Sequence, residues 1–314
     1  PWKLARQPDA EADSVLFWVV YTATDRVQHL SWKFDDPENP NYDPAVAARF
    51  RGTIRQFWID QDRILGEIFA MLRPQTWVMV LSDHGFGPIH RELRAGNFLR
   101  DPNTPLAADE VNDVFTLDRS DAARLYVREP GRDPGGTRGA EARAAIRQRL
   151  QESLERYVDG EAGTKPIEAT YPKEQIFVGK YAEKGPDLTL MPSLKWYVSW
   201  GDQDTGFKLS CCGPLLATVS GWHRMNGLWM LRGPASATGQ IERPFNLLDI
   251  TPTCLYLMGR PVPEDMEGEV MQSAFDPSWF GKREPVRQGL LNEEDRPMTP
   301  EEERALKNLP YVGG

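Results

Sequence analysis

Long apolar runs, surplus positive charge and a cysteine framework are all missing from this 314-residue chain. Its longest apolar stretches, 15–21 and 77–81, are strand-sized and fall far short of the roughly 20 residues a helix needs to cross a bilayer, so no membrane span is expected. A formal net charge of −9 removes the basic field that gathers nucleic acid or anionic lipid, and any anionic ligand must then be held locally. The three cysteines, Cys211, Cys212 and Cys254, form an odd set with one adjacent pair and no Cys-x-x-Cys spacing. They exclude a paired disulfide framework and lean towards a reducing, cytoplasmic compartment. The chain opens at Pro1 with no charged n-region and apolar h-region, so a signal peptide, if there is one, lies upstream.

Histidine is also scarce, with four residues, yet three of them sit in suggestive company: Asp25-Arg26-Val27-Gln28-His29, Asp83-His84 and Gly221-Trp222-His223. Mixed carboxylate and imidazole donors suit a hard or borderline divalent cation. Asp25 and His29 are four apart, so a single helical turn would point both side chains from one face at one ion. Alone, the pair also fits Asp25 capping a turn and His29 packing beside Trp32. Asp83-His84 precedes Gly85, whose conformational freedom permits the tight turn that lets adjacent ligands reach one metal; the alternative is a polar loop capped by Asp83. His223 by itself reads as a structural histidine. His90 has only Glu92 at ligand spacing and is expected on the surface or in packing, and Arg91, Arg94 and Arg224 are expected to be solvated charges. Cys211 and Cys212, without a histidine or asparagine nearby, are expected to be buried or inert.

At 40% hydrophobic residues the chain can hold one large α/β domain with an insertion, or two domains sharing an interface. The β-branched and aromatic run 14–21 suits a strand buried on both faces of a parallel sheet. Asp43-Pro44 reads as an N-cap with proline in the first turn, followed by helical apolar spacing through Leu72, which predicts one long helix ended by Pro74. The run 77–81 then predicts a second strand and a right-handed βαβ crossover, with both Asp/His pairs beyond the carboxyl ends of strands, where open α/β sheets place their chemistry. Further on, a helix is expected over 141–158, with strands over 124–127, 187–190 and 228–231. The Pro/Gly-rich stretch 130–139 reads as a surface loop and not a phosphate loop. A helix over 250–258 stops at Gly259, and Thr299-Pro300-Glu301-Glu302 resembles a capping box opening a last helix.

Taken in order, Asp25-x-x-x-His29, Ser82-Asp83-His84-Gly85-Phe86 and Gly221-x-His223-Arg224 resemble the alkaline phosphatase superfamily, in its type I phosphodiesterase and nucleotide pyrophosphatase branch. Pro186-Asp187-Leu188, Asp249-Ile250-Thr251-Pro252-Thr253, Leu255-Tyr256-Leu257-Met258-Gly259 and Asp265-Met266-Glu267-Gly268 agree with it. The resemblance implies an α/β fold with a mostly parallel central sheet flanked by helices on both faces and an inserted cap region. Residues 1–96 and 220–280 would form the catalytic core, 97–219 an insertion or cap region with some core elements, and 281–314 a charged tail with a short helix. It implies two divalent metal ions, zinc first with manganese or magnesium as alternatives, and a small-molecule phosphate ester as substrate. Asp25, His29 and His223 match the set that holds one ion, and Asp83 and His84 match two ligands of the other. The family's Ser or Thr nucleophile and one further aspartate precede the Asp-x-x-x-His motif, and only 24 residues do so here. Asp9 and Asp13 lie in a polar stretch. The N-terminal strand or strands and the nucleophile are therefore expected to be missing, no catalytic residue is assigned, and this chain alone is expected to be inactive. A non-catalytic metal- or ligand-binding relative, or a phosphomonoesterase, phosphotransferase or sulfatase of the same superfamily, are the alternatives.

Overall fold

The structure, a computed structural model, describes residues 16–101, 104–179, 181–201, 210–215, 218–241, 244–282 and 284–289. In chain order the α-helices are α1 (Ala23–Asp35), α2 (Pro44–Phe50), α3 (Thr53–Met71), α4 (Ala95–Leu99), α5 (Ala108–Val111), α6 (Ala140–Arg156), α7 (Lys173–Ile176), α8 (Ile250–Leu257) and α9 (Pro277–Phe280). The strands are β1 (Val78–Leu81), β2 (Gly85–Arg94), β3 (Val114–Phe115), β4 (Arg124–Val127), β5 (Ile167–Pro172), β6 (Leu188–Pro192), β7 (Lys195–Ser199), β8 (Cys212–Pro214), β9 (Gly221–Arg224) and β10 (Trp229–Arg232). No helix among the described residues is long and apolar enough to cross a membrane. The chain divides into two compact units, one drawn from 1–20, 72–83 and 229–314, the other from 21–71 and 84–228.

In the first unit β1 and β10 pair antiparallel, with Val80 opposite Met230 and Leu81 opposite Trp229. Alternate residues of the two strands, Met79, Leu81, Trp229 and Leu231, pack on a buried cluster of Ile250, Tyr256, Met271, Phe275 and Phe280, the one-sided burial that period-two side chains give a short sheet. Thr253, fully buried, ties this core together: its hydroxyl donates to Asp249 O (2.7 Å) and accepts from Met271 N (3.0 Å). Asp249 accepts in turn from Glu269 N and Asn246 N. Its place here is that of a backbone clamp.

The second unit is organised on β2, the longest strand. Along its later half it runs parallel to β7 (Leu93 opposite Val198) and antiparallel to β8 (Leu93 opposite Cys212); its first residues pair antiparallel with β9 (Phe86 opposite His223). A further sheet, in the order β3-β4-β6-β5, is antiparallel throughout. Against it α6 buries Ile146, Leu150 and Leu154, one residue per turn. Asp187, almost fully buried just before β6, accepts from Val127 N (2.8 Å) and an Arg132 nitrogen (2.9 Å), so the 130–139 stretch is a surface loop pinned by an ion pair. A smaller cluster of Ile89, Tyr197 and Leu215 lies beneath β9, with Val219 and Trp222 against it.

The mixed α/β class expected from the sequence holds, and β1, β4, β6, β10, α6 and α8 lie where the periodicity predicts them. Three expectations are corrected. The expected strand over 14–21 is not formed in its described part: 16–20 have no regular structure and are solvent-exposed, Phe17 to 63% and Val20 to 68%. Apolarity marks a segment for burial, but a strand also needs a ladder partner, and 16–20 have none among the described residues. The βαβ crossover is therefore not formed there, and in place of the mostly parallel sheet the only parallel pairing among the described strands is β2 with β7. The predicted long helix is two, α2 and α3. Asp43 caps it as expected, accepting from Ala45 N and Val46 N, but Arg51 leaves the helix with ψ 137° and Gly52 turns through φ 78°. Gly52 N then donates to Asp35 Oδ1 at the end of α1 (2.8 Å), a bond an unbroken helix would forgo. The capping box over 299–302 and residues 290–314 of the tail lie outside the described residues.

Candidate functional site

Asp25 lies in the first turn of α1, where a carboxylate complements the helix dipole, and His29 one turn later projects from the same face. The helix docks on the entry to β9. Ser220 N donates to His29 O (2.6 Å), and the fully buried Ser220 hydroxyl accepts from Lys33 N (3.1 Å). This join requires glycine at 221, because a Cβ there would lie 2.0 Å from Trp32 Cδ1 and 2.6 Å from Gln28 O. The same close approach brings Gly221 O within 2.9 Å of His29 Nδ1.

His223, two residues along β9, meets the helix pair. Its Nε2 lies 3.2 Å from Asp25 Oδ1 and 3.2 Å from His29 Nε2, and His29 Nε2 is 3.3 Å from Asp25 Oδ1. These three residues are the cluster among the described residues with metal-holding spacing. His84, in the turn before β2, stacks on His223 with ring centroids 3.7 Å apart, and its Nε2 is 4.0 Å from Asp25 Oδ1. Asp83, its neighbour in sequence, belongs to the first unit. Phe86 and Trp222 support the His29 ring edge-on, each with centroids at 4.8 Å.

The geometry decides where protons can be. His29 Nδ1 can bond to the Gly221 carbonyl only by donating, so it carries the hydrogen and Nε2 presents a lone pair. A hydrogen on His223 Nε2 can serve one of its two contacts, but when the His29 ring is neutral its lone pair and the Asp25 carboxylate are both acceptors. A cation, a proton on His29 Nε2 or a metal ion, resolves that opposition. Edges of 3.2–3.3 Å also match the roughly 3.3 Å between donors of a tetrahedron whose bonds to the ion are about 2.0–2.1 Å. The Gly221 carbonyl is then the outer partner that fixes the tautomer and aim of His29.

Burial, then the neighbouring His84 and His29, hold the His223 pKa below the ordinary 6.5, against the weaker pull of Asp25. The unfolded chain consequently binds more protons just below that value, so the stability this group contributes is intact above about pH 6.5 and is lost as pH falls towards the folded pKa. In the metal-free chain His223 is expected to titrate, by NMR, below a short peptide of the same sequence. A midpoint at or above the peptide's would show that its surroundings are wetter than this geometry.

The remaining sequence candidates are placed differently from expectation. His90 Nε2 donates across a 2.5 Å contact to the carboxylate of Asp36 at the end of α1, a partner 54 residues away that local spacing could not reveal. The three arginines are not solvated charges. Arg91 pairs with Asp159 and Glu161, and Arg94 pairs with Glu92. Arg224, on the opposite face of β9 from His223, donates to Pro88 O and Trp196 O. Each lies against a strand whose carbonyls or flanking acids compete with water. Sequence reasoning missed Phe86, Trp222 and the Gly221 carbonyl as supports of the site; their only signal was adjacency to the motif histidines.

The sequence pattern of the family described as type I phosphodiesterase / nucleotide pyrophosphatase matches residues 3–224, more than two thirds of the chain and a span that includes Asp25, His29, Asp83, His84 and His223. No curated protein matches the chain. The family's chemistry is the hydrolysis of phosphodiester and pyrophosphate bonds in small-molecule phosphate esters, with divalent metal ions. This chain belongs to the type I phosphodiesterase and nucleotide pyrophosphatase family of the alkaline phosphatase superfamily.

Proposed function

We propose that the protein hydrolyses phosphate esters, preferring phosphodiester or pyrophosphate bonds, at a centre of two divalent ions, zinc foremost. Asp25, His29 and His223 would hold one ion, and Asp83 and His84 would contribute to the second. The observation that carries this is the convergence of Asp25, His29 and His223 from distant parts of the sequence into a triangle with 3.2–3.3 Å edges. When bound, such ions polarise a phosphoryl group and lower the pKa of an attacking hydroxyl. The chain's own residues set the conditions for that. One carboxylate and two neutral imidazoles leave a divalent ion's charge only half neutralised, which favours an anionic ligand. Burial keeps His223 neutral at physiological pH, the state that can ligate. Phe86 and Trp222 restrict the His29 ring, so its lone pair stays aimed.

The attacking alcohol is not among the residues assigned here. Thr24 Oγ1 donates to Tyr21 O, and the Ser220 hydroxyl is buried against α1. Two measurements test the proposal. The chain is expected to bind zinc by calorimetry. Hydrolysis of bis-p-nitrophenyl phosphate by the full-length protein is expected to be lost to a chelator and recovered with zinc. Turnover that survives chelation, or a chain that binds no zinc, would overturn it.

A further inference from the structure

The adjacent cysteines, set aside by sequence, do not stand alone. Cys211 Sγ lies 3.0 Å from the Tyr157 hydroxyl, and Cys212 is its neighbour in sequence. Cys212 is buried at the start of β8, opposite Leu93, while Cys211 is partly exposed. Backbone bonds fix the pair from both sides: Arg94 N donates to Cys211 O (2.7 Å), an Arg94 guanidinium nitrogen donates to Ser210 O (3.1 Å), and the Ser210 hydroxyl donates to Cys212 O. The Tyr157 ring is held in turn by edge-on packing against Phe98, with centroids at 5.2 Å.

We propose that Cys211 and Cys212 form an oxidant-sensitive dithiol, in which Cys211 is the sulfur attacked by hydroperoxides and Cys212 is the thiol that resolves it. The Tyr157 hydroxyl sits where it can donate to one partly exposed sulfur, and a donor so placed stabilises a thiolate. Hydrogen bonds from Cys212 and Tyr157 bring the Cys211 thiol down to about 6, against its own desolvation and the charges of Asp101 and Asp159, while Cys212 and Tyr157 are pushed up. The reaction balances without further reagents. The Cys211 thiolate attacks a peroxide oxygen, the O–O bond breaks, the sulfur loses two electrons to become a sulfenic acid, and the other oxygen leaves as water or alcohol. The Cys212 thiol then attacks that sulfur, forms the S–S bond, and its proton leaves with the displaced hydroxide as water. Because the eight-membered ring must close on a peptide already committed to the β2–β8 ladder, the disulfide is strained and readily reduced.

Cys254 is the internal reference, its thiol raised by burial in the other unit. In the folded, reduced chain at pH 7, Cys211 is expected to be alkylated by iodoacetamide roughly tenfold faster than Cys254. Limiting hydrogen peroxide is expected to remove about two mass units from the peptide carrying both cysteines, reversibly with dithiothreitol. Cys212→Ser should instead leave a sulfenic acid on Cys211 that dimedone traps, and Tyr157→Phe should slow alkylation of Cys211 several-fold. Equal reactivity of Cys211 and Cys254, or peroxide products confined to higher acids or disulfides between chains, would overturn the proposal. Circular dichroism of each variant separates loss of reactivity from loss of fold.

Discussion

Replacing Asp25 with alanine is expected to lower the zinc affinity of the chain by about a hundredfold or more, measured by competition with a chelator of known affinity. Outer partners of metal ligands are already worth about 10–100-fold, and Asp25 would be a direct ligand and the only anion in its triad. The expected effect on the metal-free chain has the opposite sign. There, with the His29 ring neutral, the Asp25 carboxylate faces its lone pair at 3.3 Å with no hydrogen between them, so removing it relieves a repulsion. Asp25→Ala should thus unfold no earlier than the parent without zinc, while losing about 2.7 kcal/mol of the stabilisation that saturating zinc provides. The two signs together distinguish a ligand from a structural carboxylate, whose loss would weaken the protein with or without metal. Asp36→Ala is the matched control: it removes the same charge from the other end of α1, where the partner is His90, and should leave zinc binding intact. An Asp25→Ala chain that binds zinc like the parent would remove Asp25 from the centre.

What could be read from the sequence divides along a physical line. Elements whose burial pattern is local were legible: α6 with Ile146, Leu150 and Leu154 one turn apart, β4, and the turn of α1 that aligns Asp25 with His29. Elements defined by partners far along the chain were not. Gly85–Arg94 carries a proline and four charged or ionisable side chains with no clean alternation, and it is a strand because β7, β8 and β9 each pair with part of it. The run at 16–20 shows the converse, full apolar content without a ladder. The break at Arg51 and Gly52 was hidden because the apolar period continues across it, and a glycine inside a helix costs only about 1 kcal/mol. For the candidate site, the grouping of Asp25, His29 and His223 was legible and their distances were not. That His223 closes on α1 depends on Ser220, Gly221 and Trp32, residues with no metal chemistry of their own.

Gly221→Ala tests that dependence, and its cost is expected to be large for a single methyl group. The added carbon would sit 2.0 Å from Trp32 Cδ1, 2.7 Å from Trp32 Nε1 and 2.6 Å from Gln28 O. The indole can swing away, but Gln28 O is backbone in the middle of α1 and moves only if the helix and β9 separate. Overpacking of this kind is expected to cost about 3 kcal/mol, read from chemical denaturation of the metal-free chain. The separation also stretches the 2.9 Å bond from His29 Nδ1 to Gly221 O and carries His223 away from Asp25 and His29, so zinc affinity should fall as well. Adding Trp32→Ala to Gly221→Ala then discriminates between the two clashes. It frees the space taken by the indole and leaves the Gln28 carbonyl in place, so stability beyond the loss due to Trp32→Ala alone should recover only in part, and zinc affinity should stay low. Full recovery of binding in the double variant would mean that the indole alone sets the spacing of α1 and β9. A Gly221→Ala chain as stable and as zinc-avid as the parent would mean that the helix does not rest on β9 at this distance, and the triangle of donors would lose its support.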